Sequence, residues 1–247
     1  MALSSIGINI TNNPFTGMIE ITSVKQESAS NEIMYILISR RKHDTEDDYE
    51  RVYEKVIVTL DDLSFSDVDM SGKSGISYDY YVELTDDNTV NYNVIEFGEV
   101  NNVECWFDGL FVGNDDKQYI APLNCNTSYS RNTQSNYVTT LSGRTPYRVS
   151  NTNLNYTTGK SSGLFVPLDS YNQPAPTNTK EYIKEVVDFL SDGTEKILKT
   201  SDGDAWYVSI DPGINISFDD RYIGSSMIDF SWTEIGDLPL PKKVVQL

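Results

Sequence analysis

Ser77-Tyr-Asp-Tyr-Tyr-Val-Glu-Leu84 alternates strictly: Tyr78, Tyr80, Val82 and Leu84 fall on one side of an extended chain, and Asp79, Tyr81 and Glu83 on the other. Successive side chains of a strand point to opposite faces, so this is the pattern of an antiparallel strand with one face on a core and the other toward water. The same alternation recurs around it in Met18–Val24, Glu32–Arg40, Tyr53–Leu60 and Val90–Phe97. Asp61-Asp62, Gly72 and Asp86-Asp87-Asn88 supply the turns between these runs. Between the second and third lies Arg40-Arg-Lys-His-Asp-Thr-Glu-Asp-Asp-Tyr-Glu50, a block of both charge signs that reads as an exposed hairpin tip.

Short strands at this spacing predict an Ig-like or fibronectin-type β-sandwich over residues 1–105. Residues 106–247 read as a second β-rich domain. It opens with Val103-Glu-Cys-Trp-Phe-Asp-Gly-Leu-Phe-Val-Gly113 and holds one helix near 180–190, with Thr179 as N-cap and Asp192-Gly193 closing it. Ile183, Val186, Val187 and Leu190 make that helix's apolar stripe, the sign of packing on a sheet. Glu195–Thr200 and Ala205–Ile210 flank the turn Ser201-Asp-Gly-Asp204, a hairpin signal, and Met227–Ile235 follows. Residues 124–162 are dominated by Asn, Ser, Thr, Tyr and Gly; so few aliphatics bury little, and we expect long polar loops held by a partner subunit. The fold class is therefore mainly β, an Ig-like sandwich followed by a β-rich domain with one helix.

Charge narrows the function. The net charge is −18, and residues 1–105 hold 7 Lys+Arg against 20 Asp+Glu. Phosphate backbones are bound mostly through Lys and Arg, so sequence-specific nucleic-acid binding is not expected. From Lys117 to Leu168 no acidic residue occurs, whereas Lys117, Arg131, Arg144, Arg148 and Lys160 do. These five are the assembly-interface candidates: an acidic domain joined to a locally basic one invites head-to-tail contact between copies, and a heterologous contact that closes generates a ring.

Catalytic chemistry is not nominated. His43 is the single histidine, with no nucleophile elbow near it, and reads as a solvated loop residue. Asn114-Asp115-Asp116 and Ser201-Asp-Gly-Asp-Ala205 fit no calcium-loop spacing and read as turns. Cys105 and Cys125 form no metal or redox motif and read as buried free thiols, a single bridge between them being the lesser alternative. We expect no enzyme, no metal and no cofactor. Met1–Phe15 lacks the basic opening and apolar run of a signal peptide, and no stretch is long and apolar enough for a membrane span, so a soluble protein made in a cytoplasm is expected. Trp106, Trp206 and Trp232, with 16 tyrosines, leave open a carbohydrate-binding module for host cell-wall glycan; packing in two β cores is the reading we prefer for them.

An ordered set of phrases carries a family resemblance: Tyr147-Arg-Val149, Tyr156-Thr-Thr-Gly159, Phe189-Leu-Ser-Asp-Gly-Thr-Glu-Lys-Ile-Leu-Lys199, Asp202-Gly-Asp-Ala-Trp-Tyr-Val208 and Phe230-Ser-Trp-Thr-Glu-Ile-Gly236. Over roughly residues 103–238 the chain resembles tail and baseplate components of phages of Gram-positive hosts, of the distal-tail-protein type. Gly75-Ile-Ser-Tyr-Asp-Tyr-Tyr-Val82 resembles the G-x-x-Y-x-Y-x-V strand of fibronectin type III modules, which such proteins carry. The resemblance implies a virion protein that forms a ring with copies of itself, one domain joining the axial tube and another outside, docking other tail proteins. It supplies no catalytic residues. The chain departs from it in lacking an obvious long hydrophobic assembly loop.

Overall fold

The computed structural model turns the alternating Ser77–Leu84 stretch into an inner strand of a four-stranded antiparallel sheet. It describes residues 3–87, 92–138, 145, 147–168, 175, 179–218 and 226–238, with 134–138, 147–154, 179 and 218 described by backbone alone. Residues 3–108, 199–205 and 238 form one unit, and 109–198 with 206–237 a second. Both are built from antiparallel strands.

The first unit runs through β1 (Ile6–Asn13), β2 (Met18–Lys25), β3 (Tyr35–Lys42), β4 (Glu50–Val56), β5 (Phe65–Asp69), β6 (Ile76–Thr85) and β7 (Val94–Cys105). These make two sheets, ordered β1-β2-β5 and β4-β3-β6-β7. Ile19 and Ile21 from the first, with Ile36, Ile38, Tyr80, Val82 and Leu84 from the second, are fully buried in one shared core, as in two sheets packed face to face. β1 and β5 are additions to the sequence reading: β5 has only Phe65 and Val68 as apolar positions, whereas β1 carries a legible strand signal in the alternating Ile6, Ile8 and Ile10. At the start of β6 the Lys73 amide donates to the Tyr78 hydroxyl at 3.1 Å, tying the preceding loop down over the strand.

Arg40 corrects the exposed-tip expectation. β3 extends through Lys42, and Arg40 turns into the sandwich, where its guanidinium meets Asp69 at 2.5 Å and lies over the Tyr78 ring. Nor is His43 freely solvated: its Nδ1 lies 2.6 Å from the buried Asp79 carboxylate.

Lys199 is a second buried cation in this unit, donating to the carbonyls of Gly17 and Met70. Burial pulls its ammonium from the ordinary 10.5 down to about 8. Between these values the unfolded chain holds the proton and the folded chain does not, so stability rises with pH across that window and is flat below it. We expect a gain of roughly 2 kcal/mol from pH 8 to 10 in urea unfolding, absent in Lys199→Met. An unchanged slope in the variant would assign the effect elsewhere.

The second unit contains β8 (Leu110–Gly113), β9 (Gln118–Ala121), β10 (Leu123–Val138), β11 (Tyr147–Phe165), helix α1 (Thr179–Leu190), β14 (Asn215–Phe218), β15 (Ser226–Gly236) and most of β12 (Lys196–Thr200) and β13 (Ala205–Ile210), whose residues 199, 200 and 205 belong to the first. The strands join one sheet in the order β10-β11-β15-β13-β12-β8-β9, with β14 also paired to β15. The helix packs Ile183, Val186, Phe189 and Leu190 on Leu110, Val112, Phe165, Leu198 and Val208. Phe189 thus takes the core position expected of Val187, which is half-buried. Ser191 and Gly193 at φ 77 end the helix, as glycine does where the chain must turn left-handed.

The expected polar loops over 124–162 are instead the two long strands β10 and β11. Their sequence lacks an apolar stripe, so the pattern was invisible; what replaces it is a ladder of side-chain bonds across the pair. Thr127 Oγ1 meets Ser161 Oγ at 3.1 Å, Asn132 donates to Thr158 Oγ1 at 2.7 Å, and Arg131 Nε donates to Asn155 Oδ1 at 2.7 Å. Cross-strand pairs of this kind each stabilise a sheet by roughly 0.2–1 kcal/mol.

Candidate assembly interface

Strand register places the basic candidates. Arg131 pairs with Thr157, and Lys160 pairs with Ser128 on β10 and Ser231 on β15. Side chains alternate along each strand, so Arg131 shares the face of Tyr129 and Trp232, whereas Lys160 points from the opposite one. Lys117 sits exposed in the β8–β9 turn, where its amide and that of Asp116 donate to Asn114 Oδ1; β9 ends the sheet opposite β10. Arg148 pairs by backbone with Tyr137, and Arg144 lies outside the described residues. The described candidates therefore share a sheet but do not converge on one patch. Acidic groups also interrupt the basic run: Asp229 and Glu234 on β15 lie beside β11, and Glu234 accepts from the Thr157 amide at 2.6 Å.

On the Lys160 face two adjoining depressions, about 360 and 480 Å³, share Ser128, Lys160 and Ser231. Asn126, Ser162, Asn215 and Asp229 line the first, and Ser130, Thr158 and Asp211 the second. Thr233 Oγ1 lies 3.3 Å from Asp211, holding the segment after β13 against β15. The result is a polar trough of hydroxyls and amides around one ammonium. Such a surface suits hydrogen bonding to another polypeptide. Its residues were missed in the sequence because Ser128, Thr158 and Ser231 are individually unremarkable and become neighbours only through the register.

On the opposite face, Trp206 and Trp232 are buried and pack at a tilt, and Tyr129, which is 53% exposed, meets Trp206 edge to face. Trp106 departs from the core expectation at 49% exposed. It follows β7 directly, and its carbonyl accepts from Asn12. Cys125 likewise is an exposed residue, although its thiol turns back on the Ala121 carbonyl at 2.8 Å and burial pushes its pKa up to about 11.

No family profile matches the chain, and no curated protein does. Among solved structures, a chain in the virion of a native gene transfer agent particle is 18% identical, covering 51% of this chain and 91% of that one at a TM-score of 0.31. A chain from the tail of an empty gene transfer agent particle of C6 symmetry is 17% identical, covering 54% and 94% at a TM-score of 0.32.

Proposed function

We propose that the chain is a structural component of a bacteriophage tail or baseplate, which self-assembles into a ring and docks other tail proteins in the virion. The observation that carries this reading is β10. It stands at the end of the sheet order, is 16 residues long, and spans roughly 50 Å at the rise of a strand. A long edge strand offers unpaired amides and carbonyls to another chain, and proteins that stay single blunt such edges with charge, proline or brevity. Between Leu123 and Val138 the only charged residue is Arg131, and there is no proline. Copies pairing head to tail along such an edge generate a closed ring when the rotation permits.

The first unit supports the outer-module part of the reading. Its sheets, β1-β2-β5 and β4-β3-β6-β7, follow the strand order of Ig-like sandwiches, and the Tyr78 hydroxyl bonded to the Lys73 backbone has the geometry of their tyrosine corner. The phrases shared with distal-tail-type proteins run through the second unit.

Negative-stain images of the purified chain should show rings. Reversing Arg144 and Arg148 to Glu should raise the concentration for half-assembly about tenfold, because complementary charge steers subunits together. A chain that stays single at high concentration overturns the ring, and unchanged oligomer size on mass photometry in the double variant rejects the part given to these arginines.

A further inference from the structure

The face of the four-stranded sheet turned away from the sandwich core is built unlike a merely solvated one. Register sets Glu54, Leu37, Glu83 and Phe97 in one row across its strands, and Arg51, Ser39, Tyr81 and Glu99 in the next. Leu37 is fully buried although it points away from the core. Tyr49, Tyr81 and Phe97 form a continuous file, with centroids 5.6 and 5.7 Å apart and planes tilted by 46° and 37°. All three are half-buried, so each keeps part of its ring open.

Polar groups flank the file. Tyr92 donates its hydroxyl proton to Glu83 at 3.1 Å. Arg41 lies over the Tyr49 ring at 4.6 Å, and its buried Nε has no hydrogen-bond acceptor among the described residues, the Asp79 carboxylate being 3.7 Å away. Burying one leucine does not call for a file of three half-buried rings ending at a guanidinium.

We propose that this face is a binding site for a single neutral glycan chain, its sugar rings lying on Tyr49, Tyr81 and Phe97 and its hydroxyls meeting Arg41 and Glu83. Aromatic faces pack against the C–H faces of sugars, and planar charged side chains bond pairs of hydroxyls. The tilts between rings follow a twisted single chain and would not lie flat on a crystalline surface. Charge selects the class: with 7 Lys+Arg against 20 Asp+Glu in residues 1–105, a phosphate- or uronate-bearing polymer is repelled. These two rows are aromatic and charged, their one aliphatic side chain being the buried Leu37, and Val56, 40% exposed, stands a row away opposite Tyr35. This site is independent of the assembly role.

The test is a glycan array carrying neutral hexose, deoxyhexose and N-acetylhexosamine oligomers beside phosphorylated and uronate ones, followed by calorimetry on the best neutral oligomer with the full chain. Tyr49→Ser and Arg41→Gln should each weaken binding about tenfold with unchanged thermal unfolding. Both leave the Tyr81–Phe97 pair in place. The proposal is overturned by a wild-type chain that retains no neutral oligomer, by equal binding in both variants, or by preference for the acidic glycans. A change of oligomer size in Tyr49→Ser would also overturn it, assigning the face to contact between copies.

Discussion

Replacing Asp69 with alanine is expected to lower the unfolding free energy by about 3–5 kcal/mol. Asp69 closes β5 at 1% exposure and accepts from Arg40 at 2.5 Å, from the Tyr80 hydroxyl at 2.8 Å, and from the Ser71 hydroxyl and amide at 2.6 and 2.9 Å. Removing the carboxylate strands the Arg40 guanidinium, which is itself buried and stays charged; an unpaired buried charge costs far more than the pair contributes. Urea unfolding should show a lower midpoint at unchanged slope, and a loss under 1 kcal/mol would contradict the argument. Replacing both partners, as Arg40→Met with Asp69→Leu, should recover much of the loss. Acid supplies a second readout. Burial alone would raise the Asp69 pKa, but Arg40, Ser71 and Tyr80 outweigh it and hold it below the ordinary range. A depressed carboxylate contributes stability that is complete above the unfolded value near 3.9 and is lost as pH falls through the folded one. That part of acid unfolding should be missing from Asp69→Ala.

Arg40 also marks where sequence reading stops. Tyr78, Tyr80, Val82 and Leu84 announce their strand because one face meets a core made of the same kinds of residue, and the alternation survives in the structure. Arg40 sits in a run of charged residues, and nothing local distinguishes it from Arg41. Its partner is 29 residues away, so its burial depends on a contact the chain makes only after β5 comes to lie against β3's core face. Helix α1 was legible for the opposite reason: Ile183, Val186 and Leu190 repeat at helical spacing within a single element.

The proposed interface was legible only in composition. Lys160 and Arg131 stand out as cations in a stretch without acids, yet the strand period sends them to opposite faces, and β15 brings Asp229 alongside. The aromatic count in the sequence likewise pointed to tryptophans, whereas the open rings of the four-stranded sheet are Tyr49, Tyr81 and Phe97. Long-range register decides both outcomes, and register is set by partners that a single strand does not contain.

Trp232→Ala is the other large effect, a loss of about 3–5 kcal/mol. Trp232 is fully buried, donates Nε1–H to Ser161 Oγ at 3.0 Å, and packs on Trp206 at 4.8 Å between centroids. Opposite it on β11 stands Gly159, where a Cβ would fall 2.5 Å from the indole and 2.8 Å from the Ser128 carbonyl. The indole therefore occupies space that any side chain at 159 would need, and Gly159→Ala should itself cost about 1–3 kcal/mol. The two changes should be non-additive: without the indole, the methyl at 159 keeps only its clash with the Ser128 carbonyl, so the coupling should reach about 0.5–3 kcal/mol. Trp206 carries the effect onward to Tyr129 on β10, at 4.9 Å, so truncating Trp232 also loosens the anchoring of the edge strand. Chemical unfolding of both single variants and the double variant reads the first effect; ring counts in negative stain, at temperatures where the fold persists, read the second. A Trp232→Ala chain within 1 kcal/mol of wild type would remove the indole from its role as the anchor of that strand row.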